Sequence, residues 1–145
     1  MKMILNNRTA SILSIVVLFL ASIIFEACAK KINFTTSAVA PAAVGKVKIK
    51  KDNNNNYAIS VSITHLASPQ KLNPPKDTYV VWVEAPDHGI KNIGMITSSS
   101  GFLSKTLKGS LKAVTAFKPI KVFITAETKG DIRHPGIPVV LTTEI

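Results

Sequence analysis

The chain has 145 residues, enough for one domain with its own apolar core. Apolar residues make up 46% and charged residues 18%, a balance that excludes wholesale disorder. Eighteen Lys and Arg against eight Asp and Glu give a net charge of +10, and a single cysteine excludes an internal disulfide framework or a Cys-rich zinc site.

Residues 1–27 read as a helical signal segment. Lys2 and Arg8 give a basic start, and Ala10 to Phe25 is almost wholly apolar, interrupted by Ser11, Ser14 and Ser22. That stretch falls short of the roughly 20 residues that span a bilayer, and its basic flank is that of a secretory signal. Phe25-Glu26-Ala27-Cys28 follows. A small residue directly before the first cysteine resembles the lipobox of bacterial lipoproteins. Phe25 stands where that family has an aliphatic residue, and Glu26 where it has a small one. The resemblance implies cleavage before Cys28 and acylation of its thiol and new amine. Each buried CH₂ adds about 0.8 kcal/mol of membrane affinity, so several acyl chains anchor a domain stably. The implied place is the bacterial cell envelope, lipid-anchored, with the membrane as partner through Cys28. Surface-exported lipoproteins of some bacteria carry acidic residues after the cysteine; Ala29-Lys30-Lys31 points to a periplasm-facing protein instead.

Residues 28–43 contain small and polar residues and Pro41, and read as a tether to a domain at 44–145. From Gly45 the apolar period is two, the signature of strands. Lys46, Lys48 and Lys50 alternate with Val47 and Ile49, and Asp52 to Asn56 form a polar hairpin tip. Tyr57, Ile59, Val61 and Ile63 make a second alternating strand. Residues 67–78, with Pro69, Pro74 and Pro75, read as an extended loop. Tyr79 to Ala85 is apolar on both faces, as a central strand is. Pro86 to Gly89 read as a turn, Lys91 to Ile96 as a strand and Thr97 to Gly101 as a loop. Strand character is expected in Phe102 to Leu111, a short helical turn in Ala113 to Phe117, and further strands at Lys121 to Glu127 and Val139 to Thr143. About seven short strands separated by turn signals predict an all-β fold, an antiparallel immunoglobulin-like sandwich. Trp82 is expected in its central core.

Tyr79-Val80-Val81-Trp82-Val83, Ile93-Gly94-Met95, Ile124-Thr125-Ala126-Glu127, Gly130 and Pro135-Gly136-Ile137-Pro138-Val139-Val140-Leu141 together resemble the extracytoplasmic C-terminal domain of anti-sigma-K factors. The likeness runs from about Val44 to Leu141. Thr128, Asp131 and Ile137 depart from that family's Pro, Gly and Gly. What the resemblance implies is a non-enzymatic sensory or protein-interaction module outside the cytoplasm, with an envelope protein as partner. Sigma-factor binding is not implied, because the family places it in a separate helical domain.

Candidate chemistry is sparse. Ser98-Ser99-Ser100 with Asp87 and His88 imitate a nucleophile, base and acid, but lack a strained nucleophile turn and read as a solvated loop. His65, His88 and His134 lack metal-ligand spacing, and no glycine-rich phosphate loop is present, so no catalytic residue, metal or cofactor is expected. Glu127, alone in an apolar strand, is expected to anchor the Thr128–Pro138 loop through backbone N–H groups. Lys46, Lys48, Lys50 and Lys51, with Lys30 and Lys31 nearby, offer a basic surface. Such a surface favours an anionic envelope component, whether lipid headgroup, lipopolysaccharide or acidic glycan. Nucleic acid is disfavoured by compartment and by the lack of interleaved aromatics. The bland alternative is a lysine edge that blocks unwanted strand pairing. For recognition, the Thr128–Pro138 and Ala67–Thr78 loops are the candidates.

Overall fold

The computed structural model describes residues 29–100 and 107–145, with only the backbone at 98–100. The signal segment, Cys28 and the N-terminal part of the strand expected from Phe102 lie outside the described residues. The described chain forms ten strands: β1 (Lys30–Asn33), β2 (Thr35–Thr36), β3 (Val44–Lys51), β4 (Tyr57–Thr64), β5 (Thr78–Ala85), β6 (Gly89–Met95), β7 (Thr97–Ser100), β8 (Leu107–Thr115), β9 (Lys121–Glu127) and β10 (Val139–Glu144). A single 3₁₀ turn, Pro69–Lys71, interrupts the β4–β5 loop.

Two antiparallel five-stranded sheets pack as a sandwich. The front sheet has the order β1-β3-β4-β8-β7 and the back sheet β2-β10-β9-β5-β6. With the short β1 and β2 set aside, the eight remaining strands follow the immunoglobulin order. β3, β4, β8 and β7 stand as A, B, E and D, and β10, β9, β5 and β6 as G, F, C and an added C′. The inner faces supply one core, in which Val47, Ile59, Val61 and Ile63 of the front sheet meet Val81, Val83, Val122, Ile124 and Leu141 of the back sheet. Period-two patterning builds the front sheet directly, since β3 alternates exposed and buried residues along its length.

Three sequence expectations are corrected. The segment 29–43 is not a tether. Lys30 to Asn33 pair with Lys46 to Ile49 of β3, Thr35 and Thr36 pair with β10, and Phe34 is buried where the chain crosses between sheets. Its composition hid this because the crossing buries only small residues beyond Phe34, namely Ala40 and Ala43. The Thr97–Gly101 loop is largely strand: Thr97 to Ser100 pair with Leu107 to Ser110. Ala113 to Phe117 is not a helical turn, because β8 continues to Thr115. The leucines at 103, 107 and 111 masked a stronger alternation, in which Lys108, Ser110 and Lys112 point one way.

Candidate functional site

Trp82 is fully buried, but not between the sheets. On β5, Tyr79, Val81 and Val83 face the front sheet, so Val80 and Trp82 face outward. On β9 the same parity turns Phe123, Thr125 and Glu127 outward. Trp82 stands opposite Phe123 and the rings stack, with centroids 6.3 Å apart and 15° between planes. Ile132, from the Thr128–Pro138 loop, packs on this pair. That loop therefore folds back over the outer face of the back sheet and roofs a second, small core.

Polar bonds hold the roof. Trp82 Nε1–H donates to Thr125 Oγ1 at 2.8 Å, Thr125 Oγ1–H donates to Glu127 Oε1 at 2.5 Å, and the Gly136 N–H donates to the same oxygen at 2.7 Å. Glu127 is 6% exposed, so its carboxylate needs these donors. Gly136 is required by close approach, since a Cβ there would lie 2.6 Å from Glu127 Oε2. At the other end of the loop, Asn92 of β6 donates to the carbonyls of Gly130 and Ile132, at 2.9 and 3.0 Å, and accepts from the Gly94 N–H. Gly94 has φ 131° and sits at the β5–β6 bulge, a conformation that suits glycine. Sequence reasoning singled out Glu127, whose carboxylate takes a single loop N–H, that of Gly136. It missed Asn92 and Thr125, polar residues that have no signal until the loop's path is known.

The outer face of the front sheet is the opposite kind of surface. Register puts Lys31 of β1 directly across from Lys48 of β3, with Lys46 and Lys50 on either side. Lys46, Lys48 and Lys50 stand across from Ser62, Ser60 and Ala58 of β4, and these across from Ser110, Lys112 and Val114 of β8. Thr64 and Lys108 extend the same face. Lys31, Lys46, Lys48, Lys50, Lys108 and Lys112 are all exposed, and no Asp or Glu belongs to the described part of this face. Asp52 at the β3–β4 tip is occupied locally: its carboxylate accepts the Asn54 and Asn56 N–H groups at 2.8 Å, which hold it below the usual carboxylate range.

Lys51 leaves this group. Its ammonium lies over the Tyr57 ring, 5.9 Å from the centroid, at one end of the sandwich. There Lys30, Lys51 and Lys118 surround a pocket of about 340 Å³, walled by Ile49, Tyr57, Pro119, Ile120 and Ile145. The four-lysine set read from the sequence thus falls on two separate surfaces. Lys108 and Lys112 join the first, and Lys118 joins the second.

Ser98 to Ser100 are backbone-paired in β7, and the exposed His88 stacks on Phe117 with centroids 3.8 Å apart. Among the described residues no cluster of His, Cys, Asp and Glu could hold a metal ion, and no helix is long and apolar enough to cross a membrane. No protein-family model, curated protein or solved structure matches this chain.

Proposed function

We propose that this protein is a non-enzymatic, lipid-anchored component of the bacterial envelope that docks a polyanionic glycan on the outer face of its front sheet. The observation that carries the reading is the lysine array: six lysines interleaved with Ser and Thr hydroxyls on one sheet face, beside the exposed Val44 and Val114, with no carboxylate among its described residues. Alternate residues of a strand stand about 6.8 Å apart and neighbouring strands about 4.8 Å, so the array repeats on the scale of charges along an acidic sugar chain. Ammonium groups would meet the carboxylates, and the serine hydroxyls the sugar hydroxyls. Edge protection accounts at most for Lys31, which lies on the edge strand β1. β3 lies between β1 and β4, and β8 between β4 and β7, so neither strand is an edge. Like charges directly opposed, as Lys31 and Lys48 are, destabilise a sheet pair.

The anchor is tested by intact mass of the protein from its own membranes, beside Cys28→Ala. A lipid-bearing mass that begins at Cys28 and is lost in the variant is expected; an unlipidated or full-length mass would refute it. The face is tested by titrating the full chain, in neutral detergent, with polygalacturonate and with uncharged dextran. Binding to polygalacturonate alone is expected, weakening steeply with salt and lost when Lys46, Lys48 and Lys112 are replaced by Gln. Amine labelling should show Lys46, Lys48 and Lys112 protected by the polymer, with Lys91 and Lys129 unchanged. Equal protection everywhere, or undiminished binding by the variant, would overturn the reading.

The clamped roof over Trp82 favours a second use of the same scaffold, as an anti-sigma-like protein-interaction module. A loop fixed at Gly130, Ile132 and Gly136 presents Arg133, His134 and Ile137 in a defined shape, and Ile137 is 85% exposed. Crosslinking from position 137 in the native host would capture the partner of such a module.

A further inference from the structure

The end pocket is separate from the lysine face, and its composition is different. Its rim is cationic, with Lys30 from β1, Lys51 from the end of β3 and Lys118 from the β8–β9 turn. Its walls are apolar, Ile49, Pro119, Ile120 and Ile145, with the Tyr57 ring beside Lys51. Among the described residues, no Asp or Glu side chain lines it. The walls are fixed by the fold: the Ile120 N–H donates to Glu84 O and the Ile145 N–H to Ile120 O, both at 2.9 Å. A volume of about 340 Å³ lies within the range of small-ligand sites, roughly 300–1,000 Å³. An anion seated among these lysine side chains would be attracted by each of them.

The position of the pocket narrows the anion. Cys28 precedes Lys30 by two residues, so the chain reaches at most about 7 Å from one Cα to the other. With Lys30 paired to Ile49, a lipid on Cys28 would hold this end of the sandwich close to the bilayer. We infer that the Lys30–Lys51–Lys118 pocket binds the phosphate of an anionic lipid headgroup, with the glycerol backbone against Ile49, Pro119 and Ile120. Lysine ammonium groups suit phosphate as compact point charges, and the apolar walls take the first carbons of the lipid. The site rests on the Cys28 anchor for its choice of lipid over a soluble phosphate ester. It is independent of the glycan face.

The test places the full chain in phosphatidylcholine nanodiscs with increasing fractions of phosphatidylglycerol. Amide signals of Lys51, Tyr57 and Ile120 should move saturably. The double variant Lys51→Gln/Lys118→Gln should weaken the response roughly tenfold or more, as lost charge-assisted bonds do. Lys46→Gln/Lys48→Gln should leave it unchanged. Signals that stay still, or an equal loss in both variants, would overturn the pocket. Glycerol phosphate added to pure phosphatidylcholine discs is the second arm: a response as strong as that to phosphatidylglycerol would overturn the lipid assignment. Polygalacturonate binding and intact mass are read separately, so failure of the glycan face or of the anchor is distinguishable from failure of this site.

Discussion

The two sheets of this sandwich share an inner core and differ in everything outside it. The outer face of the back sheet carries Val80, Trp82, Phe123, Thr125 and Glu127, and the Thr128–Pro138 loop covers them. The outer face of the front sheet carries mainly lysine, serine and threonine, with the exposed Val44 and Val114, and no described segment covers it. A strand buried on both faces reads as a nearly continuous apolar run, as β5 and β9 do; a strand buried on one face alternates, as β3 does. The contrast separates a covered face from an open one. Material that holds the fold is concentrated around the back sheet, while the front face is free to carry charge.

Substitutions should break the molecule very unequally on the two sides. The largest loss is expected for Trp82→Ala, about 3–5 kcal/mol of unfolding free energy by denaturant titration, from lost burial and the cavity left under the roof. Trypsin should then cut rapidly at Lys129 or Arg133. Next comes the clamp. Glu127→Ala removes the acceptor from Thr125 and Gly136 and should destabilise by about 1–3 kcal/mol, whereas Glu127→Gln keeps an acceptor oxygen and should lose less. Gly136→Ala should release the loop to proteolysis while leaving the inner core folded, because its Cβ meets the carboxylate alone. Amide exchange that stayed slow at position 136 in either alanine variant would show that the roof does not depend on this clamp.

Tyr79 probes the layer the sheets share. Its hydroxyl donates to Ala67 O at 2.9 Å, and burial pushes its pKa up to about 12. The unfolded chain ionises first as pH passes 10, so it then binds fewer protons than the folded chain. Stability is therefore intact below pH 10 and should fall by at most ~2 kcal/mol between pH 10 and 12. Tyr79→Phe should cost about 1 kcal/mol at neutral pH and flatten that alkaline loss. An equal alkaline slope in both proteins would assign the loss to other groups.

Much of this was legible in the sequence. Period-two runs gave β3 and β4, and the apolar run around Trp82 marked a central strand, whereas β7 reads as a loop and the end of β8 as a helical turn. What local pattern cannot show is which element covers a face. Trp82 looks the same whether a second sheet or a loop buries it, and only the path of residues 128–138 decides. The β1–β2 segment was missed for a related reason. Lys30 to Thr36 show little periodicity of their own, since Phe34 is the one large residue they bury. The lysines of β8 were hidden by leucines at helical spacing, although alternation at Lys108, Ser110 and Lys112 was the truer signal. Lys51 was grouped with its neighbours by proximity in the chain, but the end of β3 turns it toward Tyr57.

The smallest expected effect is the sharpest test of the comparison. Replacing Lys46, Lys48 and Lys112 by Gln removes three exposed charges that pack against nothing in the core. Surface changes of this kind stay within about 0.5 kcal/mol, and relief of like-charge repulsion tilts the sign toward stabilisation. The gain should shrink as salt screens the array. Thermal unfolding of the variant and the parent, at low and high salt, measures it. A variant that lost several kcal/mol would mean that the lysines hold the front sheet together, through their aliphatic stems lying on the strands. The two faces would then differ in how they stabilise the fold, not in whether they do, and the face could no longer be read as surface set aside for a partner.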